Sequence, residues 1–108
     1  MENPPSDDHV IQRDTLPERR YLWTDAGRER TLRNGVTFEE VVQALYAPPG
    51  LRYERRAGDL LLFVAGLALS KRVINVVCDR TEHASTYEIV GAHVIVEPEL
   101  SEWRREVL

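Results

Sequence analysis

The chain has 108 residues, 43% of them hydrophobic and 30% charged, which is enough for one domain with a single core and no need of staples. A formal net charge of −4 argues against broad electrostatic capture of nucleic acid, and one cysteine, Cys78, excludes an internal disulfide and suits a reducing compartment. No apolar run approaches membrane-spanning length or has signal-peptide form, so a cytoplasmic protein with no membrane partner is expected.

Residues 1–18 carry Pro4, Pro5 and Pro17, few apolar side chains and no periodicity, and they read as a flexible tail before a single domain over 19–108. Tyr21-Leu22-Trp23 is the first apolar cluster and reads as a short strand. A polar, arginine-rich helix follows from Thr24 or Asp25. It should stop at Asn34 or Gly35, because glycine takes the left-handed conformation that ends helices. Thr37-Phe38-Glu39-Glu40 is a capping-box pattern, and Val41, Val42, Leu45 and Tyr46 continue it at helical spacing. Pro48-Pro49-Gly50 ends that helix.

Strand patterns dominate from there. Leu51 to Arg55 reads as a charged edge strand, Leu60 to Ala65 as a central strand, and Arg72 to Cys78 as a third before a turn at Asp79 to Glu82. Thr86 to Val96 is rich in β-branched residues, and Gly91 within it suggests a bulge or a close backbone approach. Pro98 fits the first turn of a last helix that places Leu100, Trp103, Arg104 and Val107 on one face. The expected fold class is α+β: short helices packed on a three- or four-stranded antiparallel sheet, with a C-terminal helix.

Thirteen of the fourteen basic side chains are arginine, in clusters such as Arg28 with Arg30 and Arg33, and Arg52 with Arg55 and Arg56. Acids gather at both ends, so a local basic surface fits within an acidic protein. The arginine fork suits phosphate, and it equally suits the carboxylates of a partner. No phosphate-binding glycine loop, paired-cysteine metal motif or nucleophile elbow is present in the sequence. Of the histidines, His9 lies in the tail, His83 in a turn, and His93 in the last strand. Strict alternation puts His93 on a face with Tyr87, Ile89 and Ile95, the expected core face. Cys78, His83 and His93 lack any diagnostic metal spacing, and no metal or cofactor is expected.

Trp23-Thr24-Asp25 through Arg33-Asn34-Gly35-Val36-Thr37-Phe38-Glu39-Glu40 resembles the opening of the BrnT toxins, ribonuclease components of bacterial toxin–antitoxin pairs in the wider RelE-like superfamily. Phe63 to Gly66, Val73 to Asp79, and Tyr87 to His93 resemble the later strands of that family, and Leu100 to Arg105 resembles its charged terminal helix. The likeness runs over most of Trp23 to Arg105, in order. It implies a RelE-like fold, metal-independent RNA cleavage, and an antitoxin protein as partner; dimerisation is left open. The family's Lys-His before glycine is Arg33-Asn34 here. The arginine opening its last strand is Glu88, its serine is Gly91 and its second arginine is His93. On this reading His93, His83 and Arg33 are the catalytic candidates, and Arg55, Arg56 and Arg80 hold RNA phosphates. The alternative is a catalytically inactive relative that acts as a protein-binding or regulatory module.

Overall fold

A computed structural model describes residues 18–107. The expected tail therefore lies outside the described residues, apart from Glu18. Strand β1 (Arg20–Trp23) leads into helix α1 (Asp25–Arg33) and helix α2 (Phe38–Leu45). A 3-10 turn (Pro49–Leu51) enters β2 (Arg52–Ala57), then β3 (Leu61–Leu67), β4 (Val73–Arg80), β5 (Thr86–Val94) and helix α3 (Glu99–Val107).

Local chemistry sets the helix ends. Thr24 caps α1, its hydroxyl accepting from the Gly27 N–H at 2.8 Å and donating to the Ile89 carbonyl at 3.3 Å. Asn34 closes α1, and Gly35 follows at φ +76°, the conformation that the sequence reserved for it. The capping box at α2 is complete: Thr37 Oγ1 accepts from Glu40 N at 3.1 Å, and Glu40 Oε1 accepts from Thr37 N at 3.0 Å. Pro98 does not lie inside the last helix, which begins at Glu99; its carbonyl instead accepts from the N–H groups of Ser101 and Glu102.

The sheet has five strands in the order β1-β5-β4-β3-β2. This corrects the expected three or four antiparallel strands: β1 joins the sheet, and it runs parallel to β5, Arg20 facing Thr86 and Trp23 facing Ile89. A meander can be read from turns between neighbouring strands, but a parallel pairing between distant segments leaves no local mark. Beyond Ile89, β5 has no β1 residue beside it. Side chains of α1 and of its closing residue take over that edge, Arg30 Nη1 donating to the Val90 carbonyl at 3.1 Å and Asn34 Nδ2 to the Ala92 carbonyl at 2.9 Å.

Helices α1 and α2 cover one face, over Leu62, Val64, Ile74, Val76, Cys78 and Ile89. Gly66 lets α2 approach closely, since a Cβ there would stand 2.2 Å from the Ala44 carbonyl oxygen. Helix α3 covers part of the opposite face through Trp103, whose Nε1–H donates to the Ala65 carbonyl at 2.8 Å, with Val73 beneath it. A partly buried ion pair ties α2 to the β3–β4 turn. Glu40 accepts from Arg72 Nη2 at 2.6 Å and Nε at 2.8 Å.

A bulge decides which way the end of β5 faces. Cys78 pairs with Ile89, but Val77 pairs with Gly91, so Val90 is the extra residue, one place before the expected Gly91. The insertion reverses the alternation. Tyr87 and Ile89 point to the helices, as does buried Ala92, and His93 is turned outward onto the α3 face. The expected core face shared by His93, Tyr87 and Ile89 is therefore corrected; Ile95 alone of that set lines the same groove as His93.

Candidate functional site

Between α3 and the exposed half of the sheet runs an open groove of about 510 Å³. Its floor is one row of side chains across four strands, His93, Asn75, Ala65 and Tyr53, with Phe63 and Arg55 in the next row. His93 and Asn75 are directly opposed across β4 and β5, which places their Cβ atoms about 5 Å apart. Arg55 lies with its guanidinium carbon 4.7 Å from the Phe63 ring centroid, a cation–π contact that leaves its donors free to turn toward the groove. Helix α3 supplies the other wall: Glu99, Glu102 and Glu106, with Arg105 beside them.

The six sequence candidates do not converge here. His93 and Arg55 line the groove together. Arg56, the next residue, leaves β2 on the opposite face and donates through Nη1 to Tyr87 Oη at 3.1 Å. Arg80 faces Tyr87 from β4 and belongs to that same reverse side. His83 sits in the β4–β5 turn, exposed, its carbonyl accepting from Thr86 N; by strand rise it is roughly 20 Å from His93. Arg33 is exposed at the end of α1, 3.8 Å from Glu29. Glu88 leaves β5 on the same face as His93 but opposite Asp79, nearer the hairpin end and outside the groove.

Glu99, Glu102 and Glu106 are the carboxylates of the groove, and the sequence candidates omitted them. Their spacing was a signal: they flank the Leu100, Trp103 and Val107 stripe, so once the stripe docks they border whatever it docks beside. Cys78 is fully buried on the helical side of the sheet, where burial pushes its thiol up to about 12. It therefore shares no site with either histidine. Among the described residues no group of three or more potential metal ligands comes together, and no helix is long and apolar enough to cross a membrane.

The groove thus offers an imidazole, carboxylates and a guanidinium around one opening, walled by aromatic rings. An imidazole and a carboxylate can exchange protons with a bound substrate, and a guanidinium can hold an anionic centre between them. No protein-family model and no curated protein matches this chain.

Proposed function

We propose that the chain is a small, metal-independent endoribonuclease of BrnT type, the toxin half of a toxin–antitoxin pair, acting through the α3 groove. The observation that carries this reading is the meeting of His93, Arg55 and the α3 glutamates in one groove. The order β1-α1-α2-β2-β3-β4-β5-α3 agrees with the order of segments on which the resemblance rests.

In the proposed reaction a glutamate of α3, Glu102 by its central position, takes the proton of a ribose 2′-hydroxyl. The 2′-oxygen attacks the adjacent phosphorus, and the bond from phosphorus to the 5′-oxygen breaks. Protonated His93 delivers a proton to that leaving oxygen, and Arg55 stabilises the charge developing on the phosphoryl oxygens. The products are a 2′,3′-cyclic phosphate and a 5′-hydroxyl, so atoms and protons balance without a metal. Phe63 and Tyr53 offer faces for the bases on either side.

The test is cleavage of RNA by the purified chain beside His93→Ala and Glu102→Gln at matched folding. Parent activity that drops on the order of a hundredfold in each variant agrees with loss of a general acid or base. No cleavage by the parent, with or without ribosomes, removes the nuclease reading.

A second reading, the catalytically silent binding module, is favoured by the separation of Arg33, His83, Arg56 and Arg80 from the groove. An apolar surface formed by Val42, Tyr46, Leu51 and Leu69, the last 81% exposed, also suits a protein partner. On that reading the chain inhibits no growth, yet it forms a stable complex with an antitoxin-like protein.

A further inference from the structure

A second group of cations lies on the reverse side of the sheet. Arg19, just ahead of β1, reaches Glu54 on β2 with two hydrogen bonds of 2.9 Å, and its Nη1 also donates to Tyr21 Oη at 3.3 Å. The same Glu54 carboxylate accepts from Arg52 Nε at 3.1 Å. The guanidinium of Arg19 stands 5.7 Å from the centre of the Tyr87 ring, and Arg56 holds the hydroxyl of that ring. Arg80 leaves β4 at the position facing Tyr87, on the same side of the sheet, with Cβ atoms about 5 Å apart.

The cluster is rich in donors and poor in acceptors. Its carboxylate, Glu54, already serves Arg19 and Arg52; burial alone would raise its pKa, and the two arginines hold it below the usual range. Asp79 and Glu88, next in sequence to Arg80 and Tyr87, point to the other face by strand alternation. Among the described residues no carboxylate pairs with Arg56 or Arg80. Both phenol oxygens accept a guanidinium N–H, which leaves each hydroxyl hydrogen to donate, and neither has an acceptor among the described residues. The Tyr87 ring is buried, so its hydroxyl is held in place beside Arg56 with its hydrogen still to donate. An anion beside Tyr87 would offset the charges of Arg56 and Arg80, which no carboxylate among the described residues does.

The geometry points to a binding site for a phosphate group, gripped by Arg56, Arg80 and the Tyr87 hydroxyl with Arg19 fixed behind them. Planar guanidinium groups match phosphate oxygens in pairs, and a tyrosine hydroxyl adds a directional donor. The phosphate is either the free anion or the terminal phosphate of a nucleic acid strand. The site stands on the far side of β2 from the groove and does not depend on the nuclease reading.

Titration calorimetry of the full chain tests it, with inorganic phosphate and with a DNA oligonucleotide bearing either a 5′-phosphate or a 5′-hydroxyl. DNA has no 2′-hydroxyl and cannot be cleaved by the proposed reaction. Arg56→Gln should weaken phosphate binding about tenfold and Tyr87→Phe about threefold, in line with loss of a charged and a neutral hydrogen bond. Arg104→Gln removes the same charge at an exposed position of α3, outside both the groove and this cluster, and it should leave phosphate affinity unchanged. Preference for the 5′-phosphorylated strand that vanishes in Arg56→Gln identifies a strand end as the source. Equal affinity for the two strands, with inorganic phosphate still bound, identifies the free anion. The proposal falls if Arg104→Gln and Arg56→Gln weaken binding equally, since that is a net-charge effect alone. It also falls if the parent binds no phosphate.

Discussion

Replacing Glu40 with glutamine isolates the charge of the ion pair that joins α2 to the β3–β4 turn. Glu40 is 6% exposed and accepts five hydrogen bonds: from Thr37 N, Thr37 Oγ1 and Arg72 Nη2 at Oε1, and from Arg72 Nε and Ser70 Oγ at Oε2. Glutamine keeps the Oε1 acceptor, and with it the capping box, but loses the second acceptor and the charge. A hydrogen bond to a charged group contributes about 1.5–3 kcal/mol; because the Arg72 side chain can turn to water, a net loss of about 2 kcal/mol is expected at pH 7. For a domain of this size that lowers Tm by roughly 10 °C. The pH dependence supplies an independent check. Hydrogen bonds from Arg72, then Ser70 and the Thr37 backbone, outweigh burial and lower the Glu40 carboxyl from 4.5 to about 2. A carboxyl lowered on folding stabilises the protein fully above the unfolded value, and that contribution is lost as pH falls from about 4.5 toward about 2. Urea unfolding of both proteins at pH 7, 5, 4 and 3 should therefore show a gap that is constant at the upper two values and less than half as large at pH 3. A gap that does not narrow on acidification, or one below about 0.5 kcal/mol at pH 7, refutes the assignment of the pair as a stabilising charge interaction.

Four further outcomes follow from particular contacts. Gly66→Ala drives a methyl group into the Ala44 carbonyl, and overpacking against backbone should cost about 2–3 kcal/mol in chemical denaturation. Thr31→Val should raise Tm by several degrees, because the Thr31 hydroxyl is buried without a hydrogen-bond partner and a methyl of the same shape removes about 1 kcal/mol of desolvation. Native Cys78 should resist thiol reagents at pH 8 and label fully in denaturant, since burial holds its thiol near 12; rapid native labelling contradicts the packing described. Trp103→Phe removes the bond to the Ala65 carbonyl and should cost about 1 kcal/mol, read as faster amide exchange in α3 than in α2.

What the sequence revealed was local. Gly35, Thr37 and Glu40 act through neighbours three or four residues away, so their patterns marked the ends of α1 and α2 correctly. The strands from Arg52 onward were readable for the same reason. Their turns lie between adjacent segments, and β3 is buried on the side that its apolar run requires. Two features were not readable. The parallel pairing of β1 with β5 depends on where α1 and α2 return the chain, and no residue near Tyr21 records that. The Val90 insertion was hinted at by Gly91, but a displacement of one residue inverts every later side chain, so strict alternation misplaced His93. The groove followed the same division. His93 and Arg55 were visible as residue types, whereas Glu99, Glu102 and Glu106 became neighbours of His93 only through the docking of Trp103 over Ala65.

The β1–β5 pairing also has a consequence for synthesis. The Thr24 hydroxyl that caps α1 donates to a carbonyl 65 residues further along the chain. While the ribosome is still short of β5, α1 has no platform, and the exposed half of its cap has no acceptor. Strands β2, β3 and β4 can pair in turn as they emerge, but the first strand of the sheet waits for the last one to be made. Segments separated this widely close slowly. The nascent chain therefore carries Tyr21 and Trp23 unburied through most of its translation, which is the interval in which a holding chaperone would have the most to grip.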